Sequence, residues 1–150
     1  EIEKIIKTAE NNNVNLIYSS WMSLNNPSNY FCDSCRGFQY MLFFDGSIGG
    51  CFSAKQNRLF EKNFIIGNFE KNEIQWLENK NYLQSISTEK MPLCKNCEVK
   101  MICGGGCYAQ HLMASGSILS PSPEYCERVK LMIVIGKKYK NYKSIQGGIK

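Results

Sequence analysis

Ile2, Ile5, Ile6 and Ala9 recur at helical spacing with charged residues between them, which predicts an amphipathic helix over residues 1–11. Asn11, Asn12 and Asn13 end it, because asparagine tolerates the left-handed cap. Val14, Leu16 and Tyr18 then alternate with polar residues and predict a short strand. This pair fits the last unit of an α/β domain, and equally a local helix–strand unit packed on the remainder of the chain. A loop rich in Asn, Pro and Ser leads to Cys32 and Cys35. Residues 38–44 are rich in strand formers, Asp45-Gly46 signals a hairpin turn, and residues 47–52 return as the partner strand. That hairpin would carry Cys51 back toward Cys35. Residues 64–66 predict a short strand, with a turn at Gly67-Asn68. Residues 73–87 predict a helix, broken near Asn79–Asn81, with Trp76 in the core. Residues 108–114 predict a short helix. The last helix starts at Ser122-Pro123-Glu124 and runs to about Tyr142, with Cys126 in its first turn. Residues 146–150 are expected to fray.

The chain has 150 residues, enough for one ordinary domain or a small domain plus a fragment of another. It opens at Glu1 rather than Met, which fits a processed chain or a piece of a longer one. With 43% apolar residues, a packed core is expected and global disorder is not. No apolar run approaches the roughly 18 residues of a membrane span, and the first residues lack a hydrophobic signal core. The expectation is a cytoplasmic protein. The formal charge of +5 invites nucleic acid as a partner. Much of the excess, however, lies in Lys137, Lys138, Lys140, Lys143 and Lys150 at one solvated end. Nucleic acid is disfavoured.

The eight cysteines change the picture. In a cytosolic setting they point to metal or redox chemistry rather than disulfides. Cys94, Cys97, Cys103 and Cys107 fall within fourteen residues, with two, five and three residues between them. A Cys-X-X-Cys turn suits either neighbouring metals of an iron–sulfur cubane or one tetrahedral zinc. Gly104, Gly105 and Gly106 favour the cluster. A backbone wrapped round a bulky group needs positive φ and no Cβ, and its N–H groups can aim at sulfide. In two-cluster ferredoxins the fourth cysteine of such a run serves the other cluster. Cys107 is placed to do the same. His111, the single histidine, is assigned to ordinary surface or core packing rather than to a cluster. Gly46-Ser-Ile-Gly-Gly50 lacks the Lys-Ser/Thr of a phosphate loop and is assigned to a tight turn.

Cys35, ten residues, Gly46, four residues and Cys51 are followed by the compact run at Cys94 and a final Cys126. In this order and spacing the chain resembles the SPASM domain, the C-terminal auxiliary domain of many radical S-adenosylmethionine enzymes. The resemblance implies two [4Fe-4S] clusters. One would take Cys32, Cys35, Cys51 and Cys107, with Cys32 the most variable of the family's positions. The other would take Cys94, Cys97, Cys103 and Cys126. The implied fold is α+β: a β-hairpin, helices and cysteine-rich loops around two clusters. Residues 1–20 would be the end of a partial α/β barrel and residues 21–150 the auxiliary domain.

The departures from the family limit the function. The C-x3-C-x2-C run of the catalytic cluster is missing, since Gln110 stands where its last cysteine would be. S-adenosylmethionine and a third cluster are therefore expected on a barrel elsewhere in the full-length chain or on a partner. Phe52 stands where sulfatase-maturing members carry an acidic base, and Cys103 to Ala109 looks more like the peptide-modifying maturases. The expected roles are electron relay to a redox donor or acceptor and seating of a peptide or protein substrate, without catalysis by this chain alone. Two rivals stay open: a free-standing electron carrier or peptide-binding module, and a structural double-zinc module.

Overall fold

The structure is a computed structural model describing residues 1–14 and 27–138. It is a mixed α and β fold built on a four-stranded antiparallel sheet. Helix α1 spans Ile2–Asn11 and ends where Asn13 takes φ +54°. It buries Ile6 and Ala9 but leaves Ile5 half exposed, so its apolar stripe is narrower than the sequence pattern implied. Of the expected strand only Val14 is described, exposed and with its amide donating to the Ala9 carbonyl; Leu16, Tyr18, the boundary near residue 20 and the chain after Lys138 lie outside the described residues.

After a short helix α2 (Asp33–Arg36), strand β1 (Met41–Leu42) turns into β2 (Ser47–Gly49), with Met41 opposite Gly49. The turn is the one Asp45-Gly46 predicts. Gly46 has φ +81°, its N–H donates to the Phe43 carbonyl at 3.0 Å, and Asp45 Oδ1 accepts from both the Ser47 amide and hydroxyl. The strands are shorter than expected, and Cys51 lies two residues beyond β2.

Helix α3 (Arg58–Phe64), capped by Asn57 Oδ1 accepting from the Phe60 amide at 3.1 Å, leads into β3 (Ile65–Glu70) and β4 (Glu73–Trp76). Two expectations are corrected here. Gly67 and Asn68 are not a turn, because β3 runs through them. Gly67 is required because the Trp76 indole and the Gln75 carbonyl cover it, and a Cβ would sit 2.9 Å from that oxygen. Residues 73–87 are not one helix. Lys71 and Asn72 both take positive φ and close a two-residue hairpin, so residues 73–76 are strand and α4 covers only Glu78–Gln84. Trp76 is consequently not core. It is 42% exposed, stacked against Tyr40 with Lys80 Nζ 4.0 Å from its ring centre.

A 3-10 turn (Thr88–Lys90) and α5 (Lys100–Cys103) carry the cysteine run, followed by α6 (Tyr108–Ser115) and α7 (Pro123–Lys138). The start of α7 is as predicted: Ser122 Oγ accepts from the Tyr125 amide at 3.2 Å. The larger core joins the sheet to α3, α4 and α6 through Phe60, Phe64, Ile66, Leu83 and Leu112. A second core forms along α7 from Tyr125, Val129, Met132 and Ile133, with Val99, Ile102 and Cys103 packed against it. The cysteine run lies between the two: Cys94 belongs to the first and Cys103 borders the second.

Candidate metal centre

Three separate parts of the chain converge on the glycine run. Residues 28–31 dock along it: the Ser28 amide donates to the Met101 carbonyl at 2.7 Å and the Thr88 amide to the Asn29 carbonyl at 3.0 Å. Gly104, Gly105 and Gly106 have φ +65°, +91° and +82°, a conformation L side chains avoid. The positive φ is as expected, and the missing Cβ atoms also make room for other parts of this chain. Built there, they would meet the Tyr30 carbonyl, Met91 Sδ and the Tyr125 ring respectively. The glycines let the run be gripped by its own protein on three sides.

This placement sorts the thiols. Cys32 caps the start of α2, Cys51 follows β2, and Cys107 stands at the start of α6. Burial raises the Cys51 thiol above its usual range, opposed by hydrogen bonds from the Ser53 amide and hydroxyl. The neighbouring Cys107 and Cys32 thiolates raise it further. In the compact run, Cys94 is pushed up to about 11, first by burial and then by Cys126 and Cys97, with Lys100 acting against them. Cys103 is pushed up to about 12 by burial; a hydrogen bond from the Gly105 amide opposes this, while Cys94, Cys126 and Cys97 add to it. Cys126 is raised by burial and by Cys97, with Lys130 opposing.

The described thiols thus form two neighbourhoods, one of Cys32, Cys51 and Cys107 and one of Cys94, Cys97, Cys103 and Cys126. None of these seven described thiols is in a disulfide. Cys35 lies on α2, one turn from Cys32, and its side chain is outside the description. Among the described residues no three Cys, His, Asp or Glu side chains converge closely enough to hold a single ion. The thiols are electrostatic neighbours without a common focus. Known families, characterised proteins and solved structures offer no match to this chain.

The donor set fits an iron–sulfur group in its chemistry: all-thiol, half-buried to buried, with amide or hydroxyl donors aimed at sulfur from Gly105 and Ser53. His111 is a core residue, 1% exposed, with Nδ1 3.2 Å from the Ile118 carbonyl. A carbonyl only accepts, so Nδ1 carries the proton. Burial keeps the imidazole neutral by lowering its pKa.

Sequence reasoning missed several residues of the site. Ser53 follows Cys51 in a turn closed by the Ala54 amide on the Cys51 carbonyl at 3.0 Å; a Cys-X-Ser turn is a readable signal for a donor to sulfur. Lys100 and Lys130 face the second neighbourhood, while Lys100 pairs with Glu89 at 2.6 Å. Tyr125 touches both groups: its hydroxyl accepts from the Cys107 amide at 3.3 Å, and its ring packs in the core that Cys103 borders.

Proposed function

We propose that this chain binds two [4Fe-4S] clusters, one through Cys32, Cys35, Cys51 and Cys107 and one through Cys94, Cys97, Cys103 and Cys126. The proposed role is auxiliary: electron relay and peptide seating in a cytoplasmic radical S-adenosylmethionine enzyme that matures peptides or proteins. The radical chemistry would need a separate barrel holding S-adenosylmethionine and a third cluster. Bound clusters would supply one-electron redox chemistry. The protein's part is to hold the thiolates, aim N–H donors at them and keep water away.

One observation carries the reading. Cys107 lies in the compact run by sequence, yet it is one of the groups that raise the Cys51 thiol, and Cys32 is another. A single four-cysteine site would keep Cys107 with Cys103. The crossed grouping supports two clusters that share the run. Burial adds to this: unpaired buried thiolates are unfavourable, and a cationic metal core would reverse that. The peptide-modifying role rests on the resemblance of Cys103 to Ala109.

Anaerobic reconstitution with iron and sulfide tests the proposal. The expected product is brown, absorbs near ~400 nm and holds about eight iron per chain. Near-zero iron with two zinc per chain would replace this reading with the double-zinc one. A coding region that continues upstream into a C-x3-C-x2-C run would separate the auxiliary domain from a free-standing electron carrier.

A further inference from the structure

Met91 Sδ lies 3.8 Å from Cys94 Sγ, and the thiol donates to the thioether. Both sulfurs are withdrawn from water: Met91 is 0% exposed and Cys94 7%. The contact is built from two directions. The Met91 carbonyl accepts from the Cys94 amide at 2.9 Å and from the Lys95 amide at 3.1 Å, which starts the turn that carries Cys94. The glycine run closes on the methionine from elsewhere in the chain. A Cβ at Gly105 would lie 2.9 Å from Met91 Sδ and 3.3 Å from its methyl carbon, so glycine leaves the room that the thioether fills. Methionine is commonly a flexible filler of core gaps. Here its sulfur is held against one thiol.

We propose that Met91 Sδ and Cys94 Sγ are a ligand pair for a soft monovalent metal ion, Cu(I). Two sulfurs bonded to one ion at about 2.3 Å stand roughly 3.8–4.0 Å apart at tetrahedral or trigonal angles, and this pair already has that spacing. The residue types choose the ion. A thioether is a neutral, soft donor that suits Cu(I), whereas protein zinc is held by Cys, His and carboxylates. Burial chooses the charge. Cu(I) takes the place of the Cys94 proton, which leaves to solvent; copper keeps its oxidation state and the pair stays neutral overall. A divalent ion on the same pair would bury a net positive charge. Cys126 and Cys97 are the thiols that bear most on Cys94 electrostatically, so further soft donors belong to the same neighbourhood. Cys94 also serves the second cluster in the reading above, so Cu(I) and that cluster are alternatives at this thiol.

The test uses the full chain, prepared anaerobically without iron or sulfide. Cu(I) is supplied as its bathocuproine disulfonate complex, whose colour fades as copper leaves it. The wild-type chain should withdraw Cu(I) from the chelator, and its copper-edge X-ray absorption should show sulfur neighbours at about 2.3 Å. Met91→Leu keeps the bulk and removes the donor. It should hold Cu(I) at least roughly tenfold more weakly, the loss that even an outer-shell partner causes, with an unchanged far-ultraviolet circular dichroism spectrum. Met113→Leu, at an exposed methionine of α6, should bind Cu(I) as the wild type does. In a selenomethionine-labelled chain the copper edge should show a selenium neighbour, a readout that stands even where Met91→Leu fails to fold. Copper left with the chelator, Met91→Leu binding as tightly as the wild type, or copper without a selenium neighbour in the labelled chain each overturns the proposal. None of these outcomes bears on the two-cluster reading, which iron uptake tests by itself.

Discussion

Gly106→Ala isolates the contact that fixes Tyr125, and Gly116→Ala is its built-in control. Both glycines have similar positive φ, +82° and +74°. An alanine in that conformation costs about 1–2 kcal/mol, while its stiffer unfolded chain returns about 0.4–1 kcal/mol. The net is about 1 kcal/mol for either substitution on backbone grounds. The surroundings then separate them. A Cβ at Gly116 meets nothing within 4 Å, whereas one at Gly106 lies 2.5 Å from Tyr125 Cε1 and 2.8 Å from its hydroxyl. The Tyr125 ring is packed and cannot swing away as a free chain end would, so displacing it adds about 1–3 kcal/mol, the usual cost of overpacking. Gly106→Ala should therefore lose about 2–4 kcal/mol and Gly116→Ala about 1 kcal/mol. Urea unfolding followed by far-ultraviolet circular dichroism measures this, on the reconstituted chain under anaerobic conditions. With a slope near 2 kcal/mol/M, the two midpoints should differ by roughly 0.5–1.5 M. Equal midpoints would refute the claim that the glycine run is clamped by the tyrosine.

Cys107→Ala should abolish the cluster of Cys51 and Cys32 while leaving most of the other, giving about four iron per chain; equal loss at both sites would contradict the crossed grouping. Lys100→Met removes the Glu89 ion pair and the cation that lowers the Cys94 pKa. Its partner is half exposed, so stability should fall by no more than about 1 kcal/mol, and alkylation of Cys94 in the metal-free chain near pH 9 should slow. His111 has a lowered pKa in the fold, so the native state binds fewer protons than the unfolded one below the imidazole's ordinary 6.5. Stability is fully present above that value and is lost as pH falls through and below it. His111→Gln should flatten the urea midpoint between about pH 6.5 and pH 5; an unchanged slope would show that another group titrates there.

Local chemistry was the legible part. Ser122-Pro123-Glu124 starts a helix wherever it occurs, and Asp45-Gly46 turns a hairpin, because both act within four residues. The second hairpin hid from this logic. Its left-handed turn is built from Lys71 and Asn72 without glycine, so nothing flagged the reversal. Gly67 then misled in the other direction: a glycine read as a turn is a strand residue kept small by the Trp76 indole. Leu83 and Ile86 matched a helix that really begins at Glu78, and the helical period was extended back over a strand whose Ile74 and Trp76 also alternate. At the site, residue type and spacing announced the cysteines. Lys100 and Tyr125 were silent because a lysine and a tyrosine come to lie beside the cysteine run only through tertiary placement. The glycine run was anticipated for its positive φ, but the crowding comes from Tyr30, Met91 and Tyr125.

Among the described residues no strand pairs with the outer side of β4, and this has a consequence for solubility. A sheet edge with unpaired amides and a half-exposed tryptophan is a template for edge-to-edge aggregation. Here the edge is four residues long, begins at the exposed Glu73, and has Lys80 swung over the Trp76 ring at 4.0 Å. A second chain adding itself as a fifth strand would have to strip that ammonium from its ring or bury it. The lysine thus works as a gatekeeper, allowing the chain to keep an aromatic surface on its sheet without that surface seeding fibrils.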